Sequence, residues 1–138
     1  MQGPACHETS CGNRVLVVDD HPALRDVVRD VLEIAGCEVA EADTVEGALA
    51  ELAQAPVSVL VTDIYMDGNN PVGLDLIAKV RQIAPMVRVV AVSGGGNCID
   101  GCDPLEVARK CGAQACLRKP FSASALLQAV GGADCCVG

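Results

Sequence analysis

Arg14-Val15-Leu16-Val17-Val18-Asp19-Asp20-His21-Pro22 is the stretch that decides how this chain folds. A short run dominated by branched aliphatics suits a buried strand, and the Asp-Asp-His that follows stops it. Pro22 is pre-set for the first turn of a helix. Beyond it Leu24, Val27, Val28, Val31 and Ala35 trace a stripe at helical spacing, and Gly36 suits the C-terminal stop. Strand, acidic turn and amphipathic helix make one βα unit.

The unit recurs along the chain. A strand is predicted over 38–42, then a helix over 44–53 with Asp43 and Glu46 spaced as a capping box. Val57 to Thr62 form a third apolar run that closes on Asp63, followed by a loop containing Pro71 and Gly73 and a helix carrying Leu74, Ile77, Ala78 and Val80 to Ile83. The fourth strand is Val87 to Val92, with Ser93 and three glycines after it. A helix over 104–110, a short strand over 115–117 and a helix over 122–130 complete the pattern. The strands at Val15, Val57 and Val87 are nearly continuously apolar, as parallel strands covered on both faces must be. The expected class is α/β, a three-layer doubly wound (βα)5 sandwich with a parallel sheet in the flavodoxin-like order 2-1-3-4-5. Residues 13–131 are expected to form the domain, with 1–12 and 132–138 as tails.

Composition narrows the function. A chain of 138 residues fits one domain. Its net charge of -8 opposes phosphate backbones and anionic lipid surfaces, and Tyr65 and Phe121 are its sole aromatics, so nucleic-acid binding is not expected. Without an apolar run of spanning length or a basic, apolar leader, no membrane role is expected and the location is expected to be cytoplasmic. Nine cysteines are too many to ignore and odd in number. They are expected to be reduced, with several packing as small hydrophobes. The pairs Cys98/Cys102 and Cys111/Cys116 lack zinc-ribbon spacing, so core packing and exposed thiols are the preferred reading over a metal or redox site. Cys6, His7 and Cys11 fall in the expected tail. Cys135-Cys136-Val137-Gly138 matches a prenylation end only in outline and is discounted.

In a doubly wound sheet, ligands bind beyond the carboxyl ends of the strands, where strand order reverses. Strand one ends in Asp19-Asp20, strand three in Asp63 and strand four in Ser93, while Lys119-Pro120 follows strand five. Each alone reads as a turn former, a helix cap or a solvated charge. Together they bring three carboxylates, a hydroxyl and an ammonium to one crevice. Mutually repelling carboxylates suit a hard divalent cation such as Mg²⁺, which needs only one or two direct carboxylates and keeps its waters. The cation and Lys119 would then admit a phosphoryl group beside Asp63, the expected nucleophile. Ser93 would hydrogen-bond a phosphoryl oxygen, and Lys119 would bridge carboxylate and phosphate.

Across 13–130 the chain resembles the response-regulator receiver domains of two-component signalling. The residues that carry the resemblance are Val15 to Asp20, Asp63-Ile64-Tyr65-Met66, Ser93-Gly94, Gly112-Ala113 and Lys119-Pro120-Phe121. The resemblance implies that Asp63 takes a phosphoryl group from a histidine kinase or histidine phosphotransfer protein, and that the result switches binding to a downstream protein. It implies direct Mg²⁺ ligation by Asp20, Asp63 and the backbone carbonyl of Tyr65, with Asp19 acting largely through water. It also implies a cis Lys119–Pro120 bond, a structural role for Pro120, and signalling rather than enzymatic turnover. Three departures stand out. Asp67 occupies the place where the family usually has Pro, and Gly73 lies farther on than usual, so that loop is expected to be remodelled. The connection after Ser93 is long and glycine-rich. Cys116 stands where an aromatic usually gates, so Ser93 and Cys116 are the switch positions, and the signal is expected to leave through 94–110 rather than through the thiol. Two other readings remain. One is an aspartate-nucleophile phosphohydrolase, disfavoured because Asp19 and Asp20 are adjacent rather than spaced Asp-x-Asp. The other is a phosphorylation-independent pseudo-receiver, which would have no need of the acidic set.

Overall fold

In a computed structural model of the protein, the described residues are 14–68, 70–94 and 101–131. The tails expected at 1–12 and 132–138 and most of the glycine-rich connection, with Cys98, lie outside them. The elements alternate as β1 (Arg14–Val18), α1 (Pro22–Ile34), β2 (Glu38–Ala42), α2 (Val45–Gln54), β3 (Val59–Asp63), α3 (Val72–Ile83), β4 (Arg88–Ser93), α4 (Pro104–Cys111), β5 (Ala115–Arg118) and α5 (Ala123–Gly131). All strand pairs are parallel and the order is β2-β1-β3-β4-β5, the expected doubly wound sheet.

Side-chain alternation along the strands makes two cores, one on each side of the sheet. Leu16, Leu60, Val89 and Ala91 face one way and pack with Leu76, Ile77 and Val80 of α3, Ala48 of α2 and Ala108 of α4. Val15, Val17, Val59, Val61, Val90 and Val92 face the other way, against Val28 and Leu32 of α1 and Leu126 and Ala129 of α5. With helices over both faces, the middles of β1, β3 and β4 are buried, which is why residues 15–18, 59–61 and 89–92 are unbroken aliphatics.

Three local expectations need correction. Val27 does not belong to the buried stripe of α1: it is 57% exposed, whereas Leu32 is fully buried. At 3.6 residues per turn Val27 lies about 100° around the helix from Val28, off the face that Leu24, Val28, Leu32 and Ala35 share. The cap of α2 is Thr44 rather than Asp43, and its Oγ1 accepts the Gly47 N–H at 2.9 Å. That leaves Glu46 in the first turn, near the positive end of the helix dipole. Third, Cys37 is buried and disulfide-bonded, against the expectation of reduced thiols, while Cys102, Cys111 and Cys116 are free. Met66 and Asn70 pair antiparallel, exchanging two backbone hydrogen bonds of 2.8 Å. Asp67 (φ 57°) and Gly68 (φ 76°) take the left-handed conformation that reverses the chain between them.

Candidate functional site

The carboxyl end of β1 places Asp19 and Asp20 next to the end of β3, where the sheet order reverses and β2 and β3 flank β1 on opposite sides. Asp19 and Asp63 are buried and Asp20 is exposed. Each of the three offers a carboxylate oxygen within 4.8 Å of the others. Among the described residues this is the one cluster of acidic, His or Cys ligands so close together, and the free cysteines form none. Oxygen donors alone, with one carboxylate open to solvent, fit a hard cation that keeps waters, as Mg²⁺ does.

Lys119 reaches this cluster from the segment after β5. Its Nζ lies 3.1 Å from Asp63 Oδ2 and 3.8 Å from Asp19 Oδ2. Its backbone N–H donates to the Ser93 carbonyl at 2.8 Å, which extends the β4–β5 ladder past the strand end and aims the residue back over the sheet. The Lys119–Pro120 bond is cis. Ser93 itself is buried at the end of β4. Five sequence-predicted residues, Asp19, Asp20, Asp63, Ser93 and Lys119, thus stand at one edge of the sheet.

A description of the response regulator receiver domain as a sequence family matches residues 15–131. The chain belongs to that family. The nitrogen assimilation regulatory protein NtrX of Azorhizobium caulinodans is 34% identical over 113 residues, which are 82% of this chain and 24% of that protein. The receiver therefore spans about a quarter of that relative's length. The chemotaxis protein CheY of Thermotoga maritima is 30% identical over 120 residues, covering 86% of this chain and 95% of that one. Among solved structures, a response regulator of Burkholderia pseudomallei with a phosphorylated aspartic acid, calcium ion and citrate superposes with a TM-score of 0.74 at 25% identity, over 86% of this chain and 66% of that one.

Electrostatics in the receiver single out one carboxylate. Burial pushes the Asp63 carboxyl above its ordinary pKa, and the Lys119 ammonium, both by charge and by hydrogen bond, pulls in the opposite direction without cancelling it. Asp19 adds to the rise by repulsion, and the Tyr65 backbone N–H, donating to the carboxylate, opposes it. Cys116 lies on the neighbouring β5–α4 surface. Its Sγ is 3.6 Å from the Leu105 carbonyl, and burial holds its thiol above the usual pKa.

Several supporting residues escaped the sequence reading. The His21 N–H donates to Asp19 Oδ1 at 2.9 Å, and Arg25 donates to the Asp19 carbonyl at 2.7 Å while its Nε reaches Glu41 Oε1 at 3.1 Å. Arg25 sits one turn into α1, so only an i+6 spacing from Asp19 could have suggested it. Gly73, noticed for its place in the chain, has a sharper role. A methyl there would overlap the Asp63 carbonyl oxygen and lie 2.8 Å from Ile64 Cα, while the Gly73 N–H donates to the Ile64 carbonyl at 2.9 Å. The start of α3 is thus pressed against the peptide that carries Asp63. Finally, the Asp67 backbone N–H donates to Asp20 Oδ2 at 3.0 Å.

Proposed function

We propose that this receiver accepts a phosphoryl group on Asp63 from a phosphohistidine of a histidine kinase or histidine phosphotransfer protein, and so changes its affinity for a downstream protein. The observation that carries the reading is the 3.1 Å contact of Lys119 Nζ with Asp63 Oδ2 inside a trio of carboxylates at the carboxyl edge of the sheet. An Asp63 carboxylate oxygen attacks phosphorus, the phosphorus–nitrogen bond breaks, and the imidazole leaves with the electron pair and takes up a proton. The chain then holds a mixed anhydride that water can hydrolyse.

Asp20, Asp63 and the Tyr65 carbonyl would hold Mg²⁺ directly, with Asp19 behind a water. When bound, the cation neutralises charge on the transferring phosphoryl oxygens. Lys119 pairs with Asp63 before transfer and is positioned to follow the negative charge onto the phosphoryl group. Ser93, at the adjacent strand end, is assigned the hydrogen bond to a phosphoryl oxygen, which would couple occupancy to the segment after β4. Pro120 sets the turn that aims Lys119. On this reading the domain, residues 13–131, is a cytoplasmic signalling module and not a turnover enzyme.

The test is intact-mass measurement after incubation with a small phosphodonor and Mg²⁺. One phosphoryl group, labile to hydroxylamine, is expected on the parent and none on Asp63→Asn. Full labelling of Asp63→Asn would overturn the assignment.

A further inference from the structure

Asp20 differs from its two neighbours in how it is held. Asp63 and Asp19 both have the Lys119 ammonium within 4 Å, but among the described residues Asp20 forms no ion pair and is exposed. An exposed carboxylate without a fixed partner samples several rotamers and must surrender that freedom when it ligates. What restrains it is the 3.0 Å hydrogen bond from the Asp67 peptide N–H to Oδ2.

The loop is built so that this N–H is available. The Met66–Asn70 pairing uses the N–H and carbonyl of both residues, leaving the Asp67 N–H outside the bridge. The left-handed conformations of Asp67 and Gly68 fix the reversal, and Asn70 Nδ2 donates to the Asp67 carbonyl at 2.6 Å, holding that residue from its other side. A proline at 67 could not donate this bond.

We propose that Asp67 is a positioning residue for the cation site: its peptide N–H holds Asp20 in a ligating rotamer, so divalent-cation affinity depends on the turn at Asp67 that the Met66–Asn70 pairing holds. The inference rests on the assignment of Asp20 as a metal ligand made above. By linkage, cation binding must stabilise that turn as much as the turn favours the cation.

Two variants separate the N–H from the side-chain charge. Asp67→Asn keeps the N–H and tolerates positive φ, whereas Asp67→Pro loses the charge and the N–H and cannot take the φ of 57° found here, so it removes the tether and the loop conformation together. Mg²⁺ titration by calorimetry on the full chain should give Asp67→Asn a Kd within about threefold of the parent and Asp67→Pro a Kd about tenfold weaker than Asp67→Asn, the scale of one hydrogen bond to a charged group. Equal Kd values for the two folded variants would overturn the proposal. Replacing the Asp67 N–H by an ester oxygen isolates the tether whether or not Asp67→Pro folds: a tenfold weaker Kd supports it, and an unchanged Kd refutes it. Failure of the parent to bind Mg²⁺ at all would instead bring down the metal assignment and this inference with it. Phosphoryl labelling of Asp63 is read separately and is not the measure here.

Discussion

Burial of the Asp63 carboxyl works against the stability of the fold. Its raised pKa means that ionisation costs more in the folded chain than in the unfolded one. For an acid the sign follows directly: as pH rises from the unfolded carboxylate value through the higher folded value, stability falls, and above that window the deficit stays constant. Asp63→Asn should therefore unfold at a higher urea concentration than the metal-free parent at neutral pH, with the gap closing as pH drops below the carboxylate range. Lys119 does not lose its last partner in that variant, since Asp19 remains 3.8 Å away. A lower urea midpoint for Asp63→Asn at neutral pH would show that the Lys119 pairing outweighs burial. Gly73 belongs to the same scale, because the Asp63 carbonyl leaves no room for a Cβ beside it.

At the scale of elements, the caps are where local chemistry and the fold meet. Thr44 satisfies the Gly47 N–H at the start of α2, and Thr44→Ala should cost about 1 kcal/mol in chemical denaturation with no change in phosphoryl acceptance. Asp103 caps α4 through the Leu105 N–H at 3.0 Å and also pairs with Arg118 of β5. The Leu105 N–H first, and then the Arg118 hydrogen bond, hold its carboxyl below the ordinary pKa. Here the sign is opposite to that of Asp63. The stabilisation is complete above the unfolded carboxylate value and disappears as pH falls through the depressed folded value. Amide exchange, corrected for its intrinsic pH dependence, should then report α4 opening more readily in acid, and Asp103→Ala should remove that acid sensitivity. An unchanged acid response in Asp103→Ala would place the titrating group elsewhere.

For the whole molecule, the question is how phosphorylation at Asp63, as proposed, would reach a partner. Ser93 ends β4, and α4 begins at Pro104, with its Leu105 carbonyl 3.6 Å from the Cys116 Sγ of β5. A thiol buries far less apolar area than an aromatic ring, so its movement could bias a two-state surface only weakly. On phosphorylation or on binding a phosphoryl mimic, amide exchange over 101–110 should slow several-fold while alkylation of Cys116, already slow because burial raises its pKa, changes little. Constant exchange in that segment with a large change in Cys116 reactivity would make the thiol the gate.

The alternation of βα units and the residues of the acidic edge were legible in the sequence, because aliphatic runs ending in Asp19-Asp20, Asp63 and Ser93 mark buried parallel strands and the chemistry at their ends, and the order followed from the flavodoxin-like class. Burial on both faces demands continuous branched residues, and a polar residue ends such a run wherever it must. What tertiary structure alone decided are contacts made by backbone groups and by rotation about an axis. Val27 carries the right side chain but lies at the wrong angle on α1, Thr44 rather than Asp43 accepts the Gly47 N–H in the first turn of α2, and Cys37 is bonded rather than reduced. The Asp67 N–H at Asp20 and the closeness of Gly73 to Asp63 belong to the same class. Every residue but proline has a backbone N–H, so residue type cannot announce where one points; that direction is set by the φ and ψ of a closed loop packed against its neighbours.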